Sequence, residues 1–210
     1  MYRQFIDNRL VIASHNSGKI IELEQLLASW PITPISAQSL NLPEPEETGL
    51  TFSANAKLKS DASAKVANLP AIADDSGLVV EALGGKPGIY SARWAGKDKN
   101  FFNAMARIHS EIGKDPNRNA KFVCALALSW PDGHCEIFEG TVSGRLVWPP
   151  RGNNGFGYDP MFVPDDSSKT FGECKPTEKY LRSHRILAFN KLVSACFTEL
   201  YLNARPSLER

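Results

Sequence analysis

The apolar run Leu10-Val11-Ile12-Ala13 breaks at a polar turn, Ser14-His15-Asn16-Ser17-Gly18-Lys19, beyond which Ile20, Leu23, Leu26 and Leu27 recur at helical spacing. A buried strand that runs through a short turn into an amphipathic helix is the opening of a layered α/β fold, since each element needs the other to cover its apolar face. Pro31 ends the helix, and Ile32 to Ile35 reads as a second, weaker strand.

Downstream, Asn41 to Gly49 is a polar loop containing Pro and Glu. Thr51 is placed to N-cap a helix from Phe52 to about Asn68. Pro70 to Ala73 reads as a strand that stops at Asp74-Asp75-Ser76-Gly77, with Leu78 to Leu83 as a further extended piece. A helix is expected from Asn100 to Ile112. The segments Lys121–Trp130 and Cys135–Thr141 flank Pro131-Asp132-Gly133-His134, a hairpin signal, and Ser143 to Trp148 extends that sheet. Pro149 to Pro164 reads as an ordered binding loop, and Ser183 to about Asn203 as a closing helix. Early strand–helix alternation followed by a hairpin predicts a mixed central sheet with flanking helices, in a single domain over residues 1–210.

Bulk properties narrow the function. With 24 basic and 23 acidic residues the net charge is +1. A duplex-binding protein gains most of its affinity by neutralising phosphates and carries a basic excess, so a small anionic ligand fits better than nucleic acid. No segment approaches the ~20 apolar residues that span a bilayer, which argues against a membrane partner. The four cysteines form no Cys-x-x-Cys pair. With no export-type apolar run near the N-terminus, they set an expectation of reduced thiols in the cytoplasm.

Five segments can carry chemistry. Ser14 to Lys19, between a strand and a helix, presents backbone N–H groups and a cation as a phosphate site does. Ala13 and Ile20 stand where a P-loop needs Gly and Ser/Thr, so a P-loop enzyme is disfavoured. A capped helix with a surface lysine is the plain alternative. The acidic loop around Glu46 and Glu47, and the helix lysines Lys57 and Lys59, are by themselves ordinary solvated charge. At Asp74-Asp75 strand alternation sends the two carboxylates to different faces, and hard oxygens there suit Mg²⁺ beside phosphates. An Asx turn is the competing explanation. Gly152 to Phe162 mixes glycines with aromatics, as suits close approach to a flat ligand. Finally, His184 and Arg185 would occupy the first turn of the closing helix behind Ser183, where cations oppose the helix dipole and an anionic or acceptor-rich ligand would compensate them.

In this order the five segments, with Pro87-Gly88-Ile89-Tyr90-Ser91-Ala92-Arg93, resemble the inosine triphosphate pyrophosphatase family over Val11 to Leu192. The resemblance implies two lobes around a nucleotide-binding cleft and a homodimer. It implies Mg²⁺-dependent hydrolysis of ITP, dITP or XTP to the monophosphate and pyrophosphate. By motif, Ser14, His15, Asn16, Ser17, Gly18 and Lys19 would cradle phosphates. Glu46 and Asp75 would hold the metal, with Asp75 also the proton acceptor. Lys59, Ser76, Phe156, Gly157, Tyr158, Asp159, Lys179, His184 and Arg185 would contact the substrate. Ala54 departs from the glutamate common in the family's Phe-x-Glu-Asn-Ala piece, and spacing leaves Glu46 and Glu47 both open as metal ligands. His184 and Arg185 could satisfy a purine 6-keto group that adenine lacks. A pyrophosphatase of modified pyrimidine triphosphates and a non-catalytic nucleotide-binding protein are the alternatives.

Overall fold

A computed structural model describes residues 2–198 and Leu200. Six strands, β1 (Arg9–Ile12), β2 (Thr33–Ser36), β3 (Ala71–Val80), β4 (Asn119–Ser129), β5 (Cys135–Leu146) and β6 (Phe162–Pro164), form one sheet in the order β2-β1-β3-β4-β5-β6. β1 pairs in parallel with β2 and β3, and β5 pairs antiparallel with β6, so the sheet is mixed as expected. Among the described residues six α-helices accompany it: α1 (Ser17–Leu27), α2 (Phe52–Ala67), α3 (Ser91–Trp94), α4 (Phe101–Ile112), α5 (Pro176–Tyr180) and α6 (His184–Cys196).

Two compact units share the chain. Unit 1 holds the described residues of Met1–Asp75, Ala125–Glu139 and Arg185–Arg210, and unit 2 holds Ser76–Cys124 and Gly140–His184. β1 and β2 belong to unit 1 and β6 to unit 2, while β3, β4 and β5 each contribute a segment to both.

In unit 1, α1 buries Leu23, Leu26 and Leu27, the periodic residues of the sequence. α2 is unusual in what it buries. Asn55, Lys59 and Ser63 form one stripe at four-residue spacing, and Ala56, Ser60 and Ala64 form another. Ala56 packs against Ala125 and Ala127 of β4, all three fully buried, so small side chains set a close approach of helix to strand. Ser60 Oγ lies 2.7 Å from Ser129 Oγ, which in turn donates to Asp61 at 2.6 Å. That chain satisfies the hydroxyls such an approach buries.

In unit 2, α4 buries Ala104, Met105, Ile108 and Ile112 against an aromatic cluster. Phe122 stands 4.6 Å from Phe162 and 6.1 Å from Phe171 between ring centroids.

The structure revises several boundaries. β3 does not stop at Asp74; it continues through Asp75-Ser76-Gly77 to Val80, and only Glu81–Leu83 turns away, as 3₁₀ helix. The Asp74 carboxylate accepts from Arg185 and that of Asp75 from Asn55, and the backbone through both stays extended instead of closing an Asx turn. The end of the Pro149–Pro164 loop is β6, drawn into the sheet by Arg145↔Val163 pairing. Ahead of the closing helix, Pro176–Tyr180 forms a short helix of its own, α5. The hairpin turn forms where expected, with Gly133 N–H donating to Trp130 O at 3.0 Å. α6 is described to Cys196, and the expected end near Asn203 lies outside the described residues.

Thr51 caps α2 as the sequence predicts, its Oγ1 accepting from Ala54 N at 3.1 Å. Thr51→Ala should therefore lower stability by about 1 kcal/mol and Thr51→Ser by less, measured as midpoint shifts in urea unfolding.

Candidate active site

Unit 1 assembles its polar residues at the ends of β1 and in the middle of β3. Ser14 Oγ accepts from Asn16 N at 3.2 Å, and Asn16 Oδ1 caps α1 by accepting from Lys19 N at 3.3 Å. Ser17 and Gly18 are the first two residues of α1, where backbone N–H groups have no intrahelical acceptor. The turn is therefore built as an anion-binding helix start. His15 faces the acidic loop, with Nε2 3.2 Å from Leu42 O and Nδ1 3.9 Å from Glu44.

Lys19 reaches Asp74, Nζ to Oδ2 3.0 Å. Asp74 also accepts from Arg185 Nη2 at 2.8 Å, and Arg185 Nη1 pairs with Glu22 of α1. Asp74 and Arg185 are each 1% exposed. Burial works against the Asp74 charge, but Lys19, Arg185 and Lys59 outweigh it and hold the carboxyl far below the usual carboxylate range. Arg185, expected as a donor to substrate, thus has both terminal nitrogens engaged by carboxylates within unit 1.

Asp75, next along β3, meets a different set, as strand alternation predicts. Its Oδ2 accepts from Asn55 Nδ2 at 3.2 Å, and its Oδ1 lies 3.7 Å from Lys59 Nζ. Burial raises its pKa above the ordinary aspartate value. Lys59, Lys19 and the Asn55 bond oppose that rise, and Glu47 adds to it. Lys59 Nζ also donates to Glu47 Oε1 at 2.6 Å. Burial alone would lower the Lys59 pKa, but Asp75, Asp74 and Glu47 together raise it. Lys59 is thus buried and charged, whereas Lys57 sits half-exposed on an i,i+4 pair with Asp61. Of the two candidate glutamates, Glu47 joins Lys59 and is close enough to raise Asp75, while Glu46 is exposed.

Two carboxylates that repel one another across a shared lysine form a hard-oxygen donor pair. That is a donor set of the kind Mg²⁺ accepts beside substrate phosphates. No group of three or more His, Cys, Asp or Glu side chains placed to hold a metal occurs among the described residues, so protein ligands alone would leave most of an octahedral shell to phosphate and water. Ala54 is exposed in the first turn of α2.

In unit 2 the Gly-rich segment is organised by one carboxylate. Asp159 Oδ2 accepts from Phe156 N at 2.8 Å and from Lys179 Nζ at 2.7 Å, and Lys179 Nζ lies 4.6 Å from the Phe156 ring centroid. Gly155 has φ +73°, and a Cβ there would fall 2.1 Å from Asp159 Oδ2, so only glycine fits. Gly157 follows Phe156, which is half-buried. Tyr158 packs in the unit 2 core and donates its hydroxyl to Ser91 O at 2.8 Å; its ring is core rather than a stacking surface. His184 stacks on Phe122, 4.9 Å between centroids at 14°. Ser76, the residue after Asp75, is half-buried in β3.

Sequence reasoning did not single out Asn55 or Glu22, and it named Asp74 only as the neighbour of Asp75 on the other face of the strand. The available signal for Asn55 was its place one turn before Lys59 on the same face of α2; for Glu22 there was none.

Residues 10–195 match the model of the Ham1 family. The chain is 54% identical over 198 residues to the dITP/XTP pyrophosphatase of Rhodospirillum centenum, covering 93% of this chain and 98% of that one. It is 52% identical over 208 residues to the dITP/XTP pyrophosphatase of Rhodopseudomonas palustris, covering 93% and 99%. Among solved structures it is similar to the Ham1 protein of Staphylococcus aureus, with TM-score 0.81 and 40% identity over 93% of this chain and 98% of that one. A HAM1 protein from Coxiella burnetii gives TM-score 0.84 and 37% identity, over 92% and 100%. An α/β fold with a mixed six-stranded sheet, and a turn–helix and double-aspartate site within unit 1, define a member of one class of protein. The chain belongs to the Ham1 family.

Asp74→Asn leaves Lys19 and Arg185 without their shared counter-charge and should cost about 3–5 kcal/mol at pH 7. Because the Asp74 pKa is depressed by folding, its contribution is complete above the ordinary aspartate value and is lost as pH falls below it. The stability gap between wild type and variant, from urea unfolding, should accordingly be smaller at pH 3 than at pH 6.

Proposed function

We propose that this chain hydrolyses non-standard purine nucleoside triphosphates, dITP, ITP and XTP, to the monophosphate and pyrophosphate. The observation that carries the reading is Asp75, a buried carboxylate with a raised pKa, oriented by Asn55 and paired with Lys59. The close relationship to dITP/XTP pyrophosphatases supports the substrate class.

Pyrophosphate release requires attack at the α-phosphorus. Asp75, buried and held by Asn55, accepts the proton of the attacking water. The start of α1, residues Ser14 to Lys19, receives phosphate oxygens on its N–H groups, and Lys19 and Lys59 neutralise charge on the triphosphate and on the leaving pyrophosphate. Asp75, with a carboxylate of the Glu46–Glu47 pair, would hold Mg²⁺; Glu47 is favoured because it already acts electrostatically on Asp75. Bound there, the ion supplies charge neutralisation to phosphate oxygens.

Taken by itself, unit 2 holds groups of a kind that suits a base. Phe156 offers a ring held by Lys179 and Asp159, and His184 an imidazole stacked on Phe122. With Arg185 committed to Asp74 and Glu22, its part in selecting a 6-keto purine is to hold the start of α6. A site built to pair with a 6-keto acceptor leaves donors unsatisfied against adenine, which accounts for discrimination. The enzyme acts as a cytoplasmic homodimer in this reading.

A panel of triphosphates assayed for pyrophosphate release, with Mg²⁺ and with chelator, tests the proposal. Turnover should be highest for dITP, ITP and XTP and should vanish on chelation. Asp75→Asn should remain folded by circular dichroism yet lose turnover by ~10³-fold or more; near-wild-type release from that variant would refute the role of Asp75.

A further inference from the structure

We propose that Asn55 is a positioning residue, a neutral strut that fixes the acidic loop to Asp75 independently of what Lys59 is bound to. The inference rests on the reading of Asp75 and Lys59 given above and names the group that keeps Asp75 aligned.

Asn55 is 1% exposed on α2. Its Oδ1 accepts from Gly49 N at 2.7 Å and its Nδ2 donates to Asp75 Oδ2 at 3.2 Å. The orientation of the amide is dictated, because a backbone N–H can only donate. Oδ1 must therefore face Gly49, which leaves Nδ2, a donor, toward the carboxylate. Aspartate in this place would set an acceptor against Asp75, and leucine would leave the Gly49 N–H unpaired. Glutamine adds a methylene to a filled space. A side chain at position 49 is equally excluded, since a Cβ there would meet Asn55 Oδ1 at 2.6 Å and Ala54 Cβ at 2.8 Å.

Lys59, one turn further along α2, makes the parallel pair of contacts, to Glu47 at 2.6 Å and Asp75 Oδ1 at 3.7 Å. α2 thus joins the loop to β3 twice, once through charge and once through a neutral amide. The charged link is exchangeable: a triphosphate that recruits the Lys59 ammonium weakens its hold on Glu47 and Asp75. The Asn55 link carries no net charge, is shut off from solvent, and has nothing to exchange. It keeps the Asp75 carboxylate in one rotamer, and residues 47 to 49 in register with it, while Lys59 changes partners. Removing it should leave substrate binding largely intact and misalign the proton acceptor, a displacement of the kind that costs about 10²-fold in rate.

The test uses Asn55→Ala, Gly49→Ala and the double variant, with dITP as substrate and the Gly49 amide followed by hydrogen exchange. Each single variant should lower kcat by about 10- to 100-fold with KM within about threefold of wild type. The double variant should lose no more than the worse single one, since both cut the same link. The Gly49 amide should exchange at least about tenfold faster in Asn55→Ala than in wild type, a change of about 1.4 kcal/mol in opening free energy. Wild-type kcat in Asn55→Ala, additive losses in the double variant, or an unchanged Gly49 exchange rate would each overturn the proposal. Should Asn55→Ala fail to fold, the kcat and KM of Gly49→Ala decide alone. A wild-type protein that releases no pyrophosphate would refute the proposed reaction instead, and the Gly49 exchange rate would still test the strut.

Discussion

A carboxylate with almost no exposed surface is tolerable only where its charge is answered on the spot, and at Asp74 it is answered by Lys19 and Arg185. Three sequence-distant pieces of unit 1 meet in that one interaction: the helix that follows β1, the middle of β3, and the start of α6. Through Glu22 the same arginine returns to α1. A buried ionic group of this kind contributes less to stability than its Coulomb energy suggests, because desolvation consumes most of the gain. What it supplies is direction. Lys19 is directed to Asp74 and Arg185 to Asp74 and Glu22 together, and the start of α1 is tied to β3 through Lys19. Neighbouring Asp75 gains a contrasting environment one residue away, with its partners drawn from α2 and its pKa displaced the opposite way. Two adjacent, chemically identical side chains are thereby given separate tasks by alternation along a strand.

Much of this was legible in the residues. The strand–turn–helix at Leu10 to Leu27, the Thr51 cap, the Asn100–Ile112 helix and the Asp132-Gly133 hairpin all follow from local rules of periodicity, capping and turn chemistry, and all appear. The errors lie where tertiary contacts override those rules. Asp74-Asp75-Ser76-Gly77 has the composition of a turn, yet stays extended because lysine, arginine and asparagine side chains from other segments reach its carboxylates. Lys57 and Lys59 are indistinguishable as letters, but two positions on a helix differ by about 200°, which leaves one partly solvated and buries the other. The carboxylates of Asp74 and Glu22 that meet Arg185 at the start of α6 are brought there by the fold, and no spacing rule reports their proximity.

The Gly-rich segment of unit 2 shows the same division. Its glycines announced close packing, and at Gly155 the neighbour is the Asp159 carboxylate. Which aromatic faced outward was not readable. Phe156 and Tyr158 are two residues apart, and only the core around Phe101 and Ser91 decides that Tyr158 turns inward.

The small residues between α2 and β4 carry a consequence for variation in this chain. Ala56, Ala125 and Ala127 are fully buried against one another, they set how near α2 lies to the sheet, and α2 carries both Asn55 and Lys59. A single added methylene at any of the three must be absorbed by moving the helix, since close-packed interiors have no slack to offer. Mild enlargements there, to serine, valine or threonine, would pass as conservative changes on any chemical scale. They would nonetheless detune the reacting groups from below, so the distance tolerance of the chemistry is written in the size of three alanines.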